Sequence, residues 1–148
     1  MSQASSTLHP AARATLKRWH ELIAARDLST LPELVHPDAV FRSPVAFKPY
    51  ASAPALVLIL RMVSTVFKDF AYHREFVGDD GSSVVLEFSA RIGEKKLKGV
   101  DIVTFDETGK IAEFEVMVRP LSALQALGEE MGARLSAAQS NGDRRTGE

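Results

Sequence analysis

Near Lys68 the apolar residues of this chain change period, and that switch limits the fold more than any other feature. Before it, apolar side chains recur every three or four residues; after it, they alternate with polar ones. From Pro10 to about Arg26, Ala12, Leu16, Trp19, Leu22 and Ile23 form one helical stripe, with Pro10 suited to a first turn. A short helix is expected over 29–35, with Ser29 or Thr30 as its cap and Pro32 in its first turn. His36-Pro37-Asp38 reads as a turn, and 39–43 as a short extended run closed by Pro44. A third helix is expected over 53–67, apolar around most of its circumference and therefore well buried.

Beyond Lys68, the segments 70–77, 83–92, 97–105 and 111–119 read as strands. They are joined at Asp79-Asp80-Gly81, Gly93-Glu94-Lys95 and Asp106-Glu107-Thr108-Gly109, turns rich in residues that tolerate positive φ. A last helix is expected over 121–135. Helices followed by an antiparallel meander make an α+β domain with helices on one face of the sheet. At 148 residues the chain suits a single domain, expected over 9–136, with small or polar tails over 1–8 and 137–148.

Alternation assigns the faces. Ala112, Phe114, Val116 and Val118 oppose Ile111, Glu113, Glu115, Met117 and Arg119; Val84, Leu86, Phe88, Ala90 and Ile92 oppose Val85, Glu87, Ser89 and Arg91. The first set of each pair should face the helices. The half-apolar second sets suit solvent or a sheet-to-sheet contact between two copies. In 97–105 the more apolar face carries Leu97, Gly99, Asp101, Val103 and Phe105, which turns Asp101 inward. Parity leaves two readings open. Either Asp101 points outward and pairs with a lysine, or it is a carboxyl in an apolar cavity with its pKa raised by desolvation.

The run Val100-Asp101-Ile102-Val103-Thr104-Phe105-Asp106-Glu107-Thr108-Gly109-Lys110-Ile111 resembles the ketosteroid isomerase branch of the SnoaL-like, or nuclear-transport-factor-two-like, superfamily. So do Arg18-Trp19-His20-Glu21-Leu22-Ile23-Ala24-Ala25-Arg26-Asp27 and Leu34-Val35-His36-Pro37-Asp38-Ala39-Val40-Phe41-Arg42-Ser43-Pro44. The likeness covers about 10–124. It implies a cone, in which a curved antiparallel sheet wraps N-terminal helices around a pocket and a C-terminal helix follows, and it implies a homodimer through the outer sheet face. It also aligns Asp101 with the family's protonated strand aspartate, a known example of a carboxylic acid kept neutral by an apolar site. The family's carboxylate base falls on Ser43 and its helix-one tyrosine on Trp19. Serine takes no proton from carbon near neutral pH without a base beside it. Tryptophan offers one N–H and passes on no proton. The resemblance therefore leaves Asp101, with Trp19 as a second candidate donor, and no complete steroid-isomerase shuttle. The Asp-Arg-Asp set of related epoxide hydrolases is also incomplete, because position 99 is glycine; cyclases of the SnoaL type, with one pocket aspartate, fit better.

Other candidates follow from the hollow fold that the resemblance implies. Phe41, Phe47, Tyr50, Met62, Phe67, Leu86, Phe88, Val103, Phe114, Val116 and Val118 either line a pocket or simply fill the cone. The proline-bounded loop 44–50 is placed to cover a pocket mouth. His73 faces inward beside Phe88 if the Asp80-Gly81 turn has two residues; with three, Tyr72 and Arg74 face inward instead. His9, His20 and His36 read as surface residues. With no cysteine, no His-x-x-x-His and no glycine-rich phosphate loop, no metal and no cofactor are expected. A net charge of −1 argues against a nucleic-acid partner, and no apolar run is long enough to span a membrane. No secretory signal opens the chain, so a cytoplasmic protein is expected. Three functions fit: a pocket for a small, mainly apolar ligand anchored by Asp101; an isomerase, cyclase or dehydratase using Asp101 as acid and base; and a dimerisation module whose cone is filled.

Overall fold

The structure, a computed structural model, describes residues 7–146. Helix α1 (Pro10–Ala25) leads through a single 3-10 turn (Leu31–Leu34) to strand β1 (Val35–Arg42), the two-residue β2 (Tyr50–Ala51) and α2 (Ala53–Val66). Strands β3 (Lys68–Val77), β4 (Ser83–Ile92), β5 (Lys95–Phe105) and β6 (Ile111–Arg119) follow, then α3 (Leu121–Thr146). One six-stranded sheet has the order β2-β1-β6-β5-β4-β3. Strands β3 to β6 form the expected antiparallel meander, whereas β1 joins β6 in parallel, so the sheet is mixed.

Local chemistry sets each boundary. His9 caps α1, its Nδ1 accepting from the Ala12 amide at 3.2 Å, and Ser52 caps α2 through the Ala55 amide at 3.4 Å. The stripe Ala12, Leu16, Trp19 and Leu22 is buried as its spacing requires. Leu8, expected in a tail, is buried at 2% exposure. The adjoining His9 amide donates to the Gly81 carbonyl at 3.0 Å, which ties the chain to the β3–β4 turn from Leu8 onward. At the other end, α3 runs on to Thr146, beyond the limit of 135 expected from apolar spacing; Ser136-Ala137-Ala138-Gln139 contains no residue that stops a helix. The remaining parts of the expected tails, 1–6 and 147–148, lie outside the described residues.

Three departures from alternation shape the sheet. His36-Pro37-Asp38 is not a separate turn but part of β1. Between the pairs Val35–Ile111 and Val40–Glu113 the register shifts, and the Asp38 amide closes onto His36 Nδ1 at 2.9 Å. A shift between Thr104 and Phe105 lets both Ile111 and Phe114 turn inward, although strict alternation puts them on opposite faces. In β3 the register shifts between Tyr72 and Glu75, so Tyr72 pairs with Phe88 while His73 and Arg74 both face solvent. No turn length alone yields that outcome.

Strand β4 follows its expected faces throughout, burying Val84, Leu86, Phe88, Ala90 and Ile92. Phe88 pairs across with Gly99 of β5, and an added Cβ at Gly99 would meet Phe88 Cζ and the Met117 carbonyl at 2.5 Å each. The missing side chain is the space that the Phe88 ring occupies. Replacing Gly99 with alanine should therefore overpack the sheet and cost about 1–3 kcal/mol, read as a lower midpoint in urea denaturation.

Candidate functional site

Helices α1, α2 and α3 and the inner face of the sheet enclose a cavity of about 850 Å³. Its interior is apolar, with Trp19, Leu22, Phe41, Leu60, Phe114 and Val116 among its walls. Trp19 meets Phe114 edge-on at 5.4 Å, and Phe41 stacks on Phe114 at 6.2 Å. The cone is thus hollow rather than filled.

Asp101 lies inside this cavity. It is 5% exposed, and the inward choice left open by parity is the one the fold adopts. Its Oδ2 accepts from the Tyr72 hydroxyl at 2.6 Å, and Tyr72 Oη accepts from the Trp19 indole N–H at 3.0 Å. Three elements, α1, β3 and β5, are joined by this chain of two hydrogen bonds. Desolvation pushes the Asp101 carboxyl from 3.8 up to about 7, while the Tyr72 hydroxyl pulls it part of the way back. Burial, the neighbouring Asp101 charge and the hydrogen bond to it raise the Tyr72 hydroxyl well above its ordinary value. Tyr72 therefore stays a donor across the working pH range. The second Asp101 oxygen has no partner among the described residues and belongs to the cavity wall.

Of the residues expected here, Trp19, Ser43, Tyr50, Asp101, Phe114 and Val116 line the cavity, as do Phe41 and Phe67. Trp19 is not a free donor, since its N–H is directed to Tyr72. Ser43 sits on the wall with Oγ accepting from the Val45 amide at 3.1 Å, and no base holds it as a nucleophile. Phe88 and Val103 do not line the cavity. They are fully packed in the core, Phe88 within an aromatic cluster with Phe67, Phe70 and Tyr72. Leu86 is likewise core. Met62 and Val118 are half-buried against the core, away from the cavity. Phe47 is fully exposed: loop 44–50 reaches the wall through Pro44, Val45 and Tyr50 and turns Phe47 to solvent. His73 is outside, bonded to Ser89 Oγ at 2.7 Å, because the β3 register shift turns it away. His20 is half-exposed, as expected, and pairs with Glu75 at 3.2 Å.

Tyr72 is the residue that strand parity alone did not single out. It was one of two turn-dependent options, and the usable signal was the buried carboxyl itself, which needs a donor nearby. Among the described residues no group of three or more His, Cys, Asp or Glu side chains could hold a metal ion. No helix among them is long and apolar enough to cross a membrane.

Residues 16–114 match the SnoaL-like domain model, and the chain belongs to that family. It is similar to a steroid delta-isomerase from Pseudomonas aeruginosa, at 64% identity over 90% of this chain and 97% of that one, with a TM-score of 0.88. It also resembles an uncharacterized bacterial protein with a cystatin-like fold from Silicibacter pomeroyi, at 32% identity over 89% and 92%, TM-score 0.80. The epoxide hydrolase/cyclase-like enzyme SalBIII shares the fold at 17% identity over 76% and 92%, TM-score 0.62. No curated protein matches the chain.

The raised Asp101 pKa links this site to stability. Folding favours the protonated form, so its contribution is complete below about 4 and is lost as pH rises toward about 7. Relative to Asp101→Asn, the wild type should lose melting temperature between pH 4 and 7 and run parallel to the variant above that. In Tyr72→Phe the bond that lowers the pKa is gone, so the declining window should extend to higher pH. Melting curves of the three proteins across pH 4–9 check both statements.

Proposed function

We propose that this chain takes a mainly apolar carbonyl compound into its cavity and that Asp101 moves a proton on it, an isomerase- or cyclase-type reaction. The observation that carries this reading is a carboxyl buried in the wall of an 850 Å³ apolar cavity, with one oxygen held by Tyr72 and the other open to whatever enters. With its pKa near 7, both forms of Asp101 are populated at neutral pH, as a group that must first take and then return a proton requires. The ionised carboxyl takes a proton from the carbon next to the carbonyl, and the C–H electron pair moves onto the carbonyl group as an enolate. The protonated carboxyl then returns the proton at another carbon. Tyr72, donating to Oδ2, steadies the ionised form and holds the carboxyl in place. The 64% identity to a protein described as a steroid delta-isomerase supports a carbonyl-directed proton transfer.

A second reading, a binding protein without turnover, is favoured by one feature. Ser43 stands where the resemblance places a carboxylate base, so the site lacks that second carboxylate. A 5-ene-3-ketosteroid, followed by the ultraviolet absorbance of the conjugated enone, separates the two. Turnover should depend on a group titrating near 7 and fall about 10²–10⁴-fold in Asp101→Asn. Turnover untouched by that substitution overturns the Asp101 assignment. Stabilisation of the wild type by the steroid without turnover, about 2.7 kcal/mol at a hundred times the dissociation constant, selects the binding reading.

We further propose that the outer sheet face pairs two copies. Met117 lies beside Val100 in the register, Ile102 beside Val85, and Val85 beside Phe76, so apolar side chains cross four strands. Met117 and Phe76 are half-exposed there. Met117→Glu should shift the chain from dimer to monomer in sedimentation velocity.

A further inference from the structure

The cavity wall carries charge unevenly. It includes four cationic side chains, Arg26, Arg61, Lys68 and Arg91, and only two carboxyls, Asp69 and Asp101. Asp101 lies buried inside, whereas Arg26, Arg61, Lys68 and Asp69 are exposed and Arg91 is half-buried, so the cations lie on the solvent side of the cavity wall. The end of α1 supplies Arg26, in the left-handed conformation that closes the helix. Helix α2 supplies Arg61, whose guanidinium is held by the Leu28 and Ser29 carbonyls at 3.2–3.3 Å and by no carboxylate. The first residue of β3, Lys68, pairs in register with Arg91 of β4. Asp69 neutralises Arg91 at 2.6 Å. Arg26 and Lys68 have no ion-pair partner among the described residues.

A chain with net charge −1 does not place four cations against two carboxyls on one cavity wall through a basic composition. Resting on the cavity reading above, we infer that the ligand is amphipathic: an apolar body whose carbonyl meets Asp101, ending in a carboxylate that meets Arg26, Arg61 and Lys68 at the mouth. The two ends of such a ligand suit the two ends of the cavity. A buried carboxyl near neutrality accepts a neutral carbonyl, whereas an anion placed beside Asp101 would oppose its ionisation. At the mouth, Arg61 is already oriented by two backbone carbonyls and presents its charge with little ordering cost, while Arg26 and Lys68 gain a counter-ion they lack.

The experiment uses a matched pair of probes, 3-oxo-4-androstene-17β-carboxylic acid and its methyl ester. Binding is read from the fluorescence of Trp19, the chain's one tryptophan, which lines the cavity. The acid should bind at least about tenfold more tightly than the ester in low salt, with the ratio shrinking as salt screens the exposed cations. In the doubly substituted Arg26→Gln, Lys68→Gln protein the ratio should fall to within about twofold of unity. Lys98→Gln, on the outer face beside Glu87, serves as the charge control and should leave the ratio unchanged. The salt series needs no variant and tests the inference even if the double variant folds poorly. An ester that binds as tightly as the acid, or a preference that survives the double substitution, overturns the anionic end and leaves the cavity reading standing. Failure of both probes to bind overturns the cavity reading and this inference with it.

Discussion

A carboxyl inside an apolar cavity needs a donor, and the bond from Tyr72 to Asp101 is the contact on which the rest of this structure depends. It is short, 2.6 Å, and continues to Trp19, so that α1, β3 and β5 are fixed relative to one another by a polar connection within an apolar interior. Several unusual local features serve that connection. The β3 register shift brings Tyr72 inward at the cost of regular alternation. Gly99 opens the space for Phe88, and Phe88 in turn packs against Phe70 at 5.0 Å and beside Tyr72. The tyrosine ring is thus held by aromatic neighbours while its hydroxyl is held by Asp101. Neither set of contacts alone defines the position of both groups.

The elements were legible in the sequence because they rest on period and on caps: the α1 stripe, the Ser83–Ile92 alternation and the turn glycines all keep local rules. The inward aspartate was legible as one of two options, since apolar neighbours two residues to either side ruled the face but not its direction. What was hidden depends on contacts between segments. His73 and Tyr72 differ by one residue, so a single register shift decides which reaches the cavity, and parity counting assumes no shift. The parallel seating of β1 against β6 is equally non-local. Trp19 reaches the cavity wall as its stripe predicts, but its N–H is taken up by Tyr72, and an indole N–H looks free until the partner that accepts it is known. Phe47 shows the opposite error, because an aromatic residue in a loop near a mouth carries no sign of which way the loop turns it.

Chemistry and stability draw on the same burial. Moving the Asp101 pKa from 3.8 to about 7 places on the order of 4 kcal/mol against the ionised folded state. Against a whole-domain stability of roughly 5–15 kcal/mol that is a large fraction. That penalty is already net of the Tyr72 hydrogen bond, without which burial would raise the carboxyl further, and each well-placed aromatic pair around Tyr72 adds about 0.5–1.5 kcal/mol. The fold therefore tolerates Asp101 because its neighbours are arranged to hold it.

The open oxygen of Asp101 also determines what a ligand does to that balance. A ketone oxygen only accepts, so it engages the protonated carboxyl and drives the pKa further upward; a hydroxyl donates and favours the ionised form. Displacing water from the cavity deepens the desolvation that already raises the pKa, which strengthens the acid form in the bound state. An initial proton transfer away from carbon needs the base form, so the ligand that binds best through its carbonyl works against the first step of its own reaction. In the proposed reaction Tyr72 would ease that conflict, because its hydroxyl donates to Oδ2 and lowers the Asp101 pKa against the effect of burial.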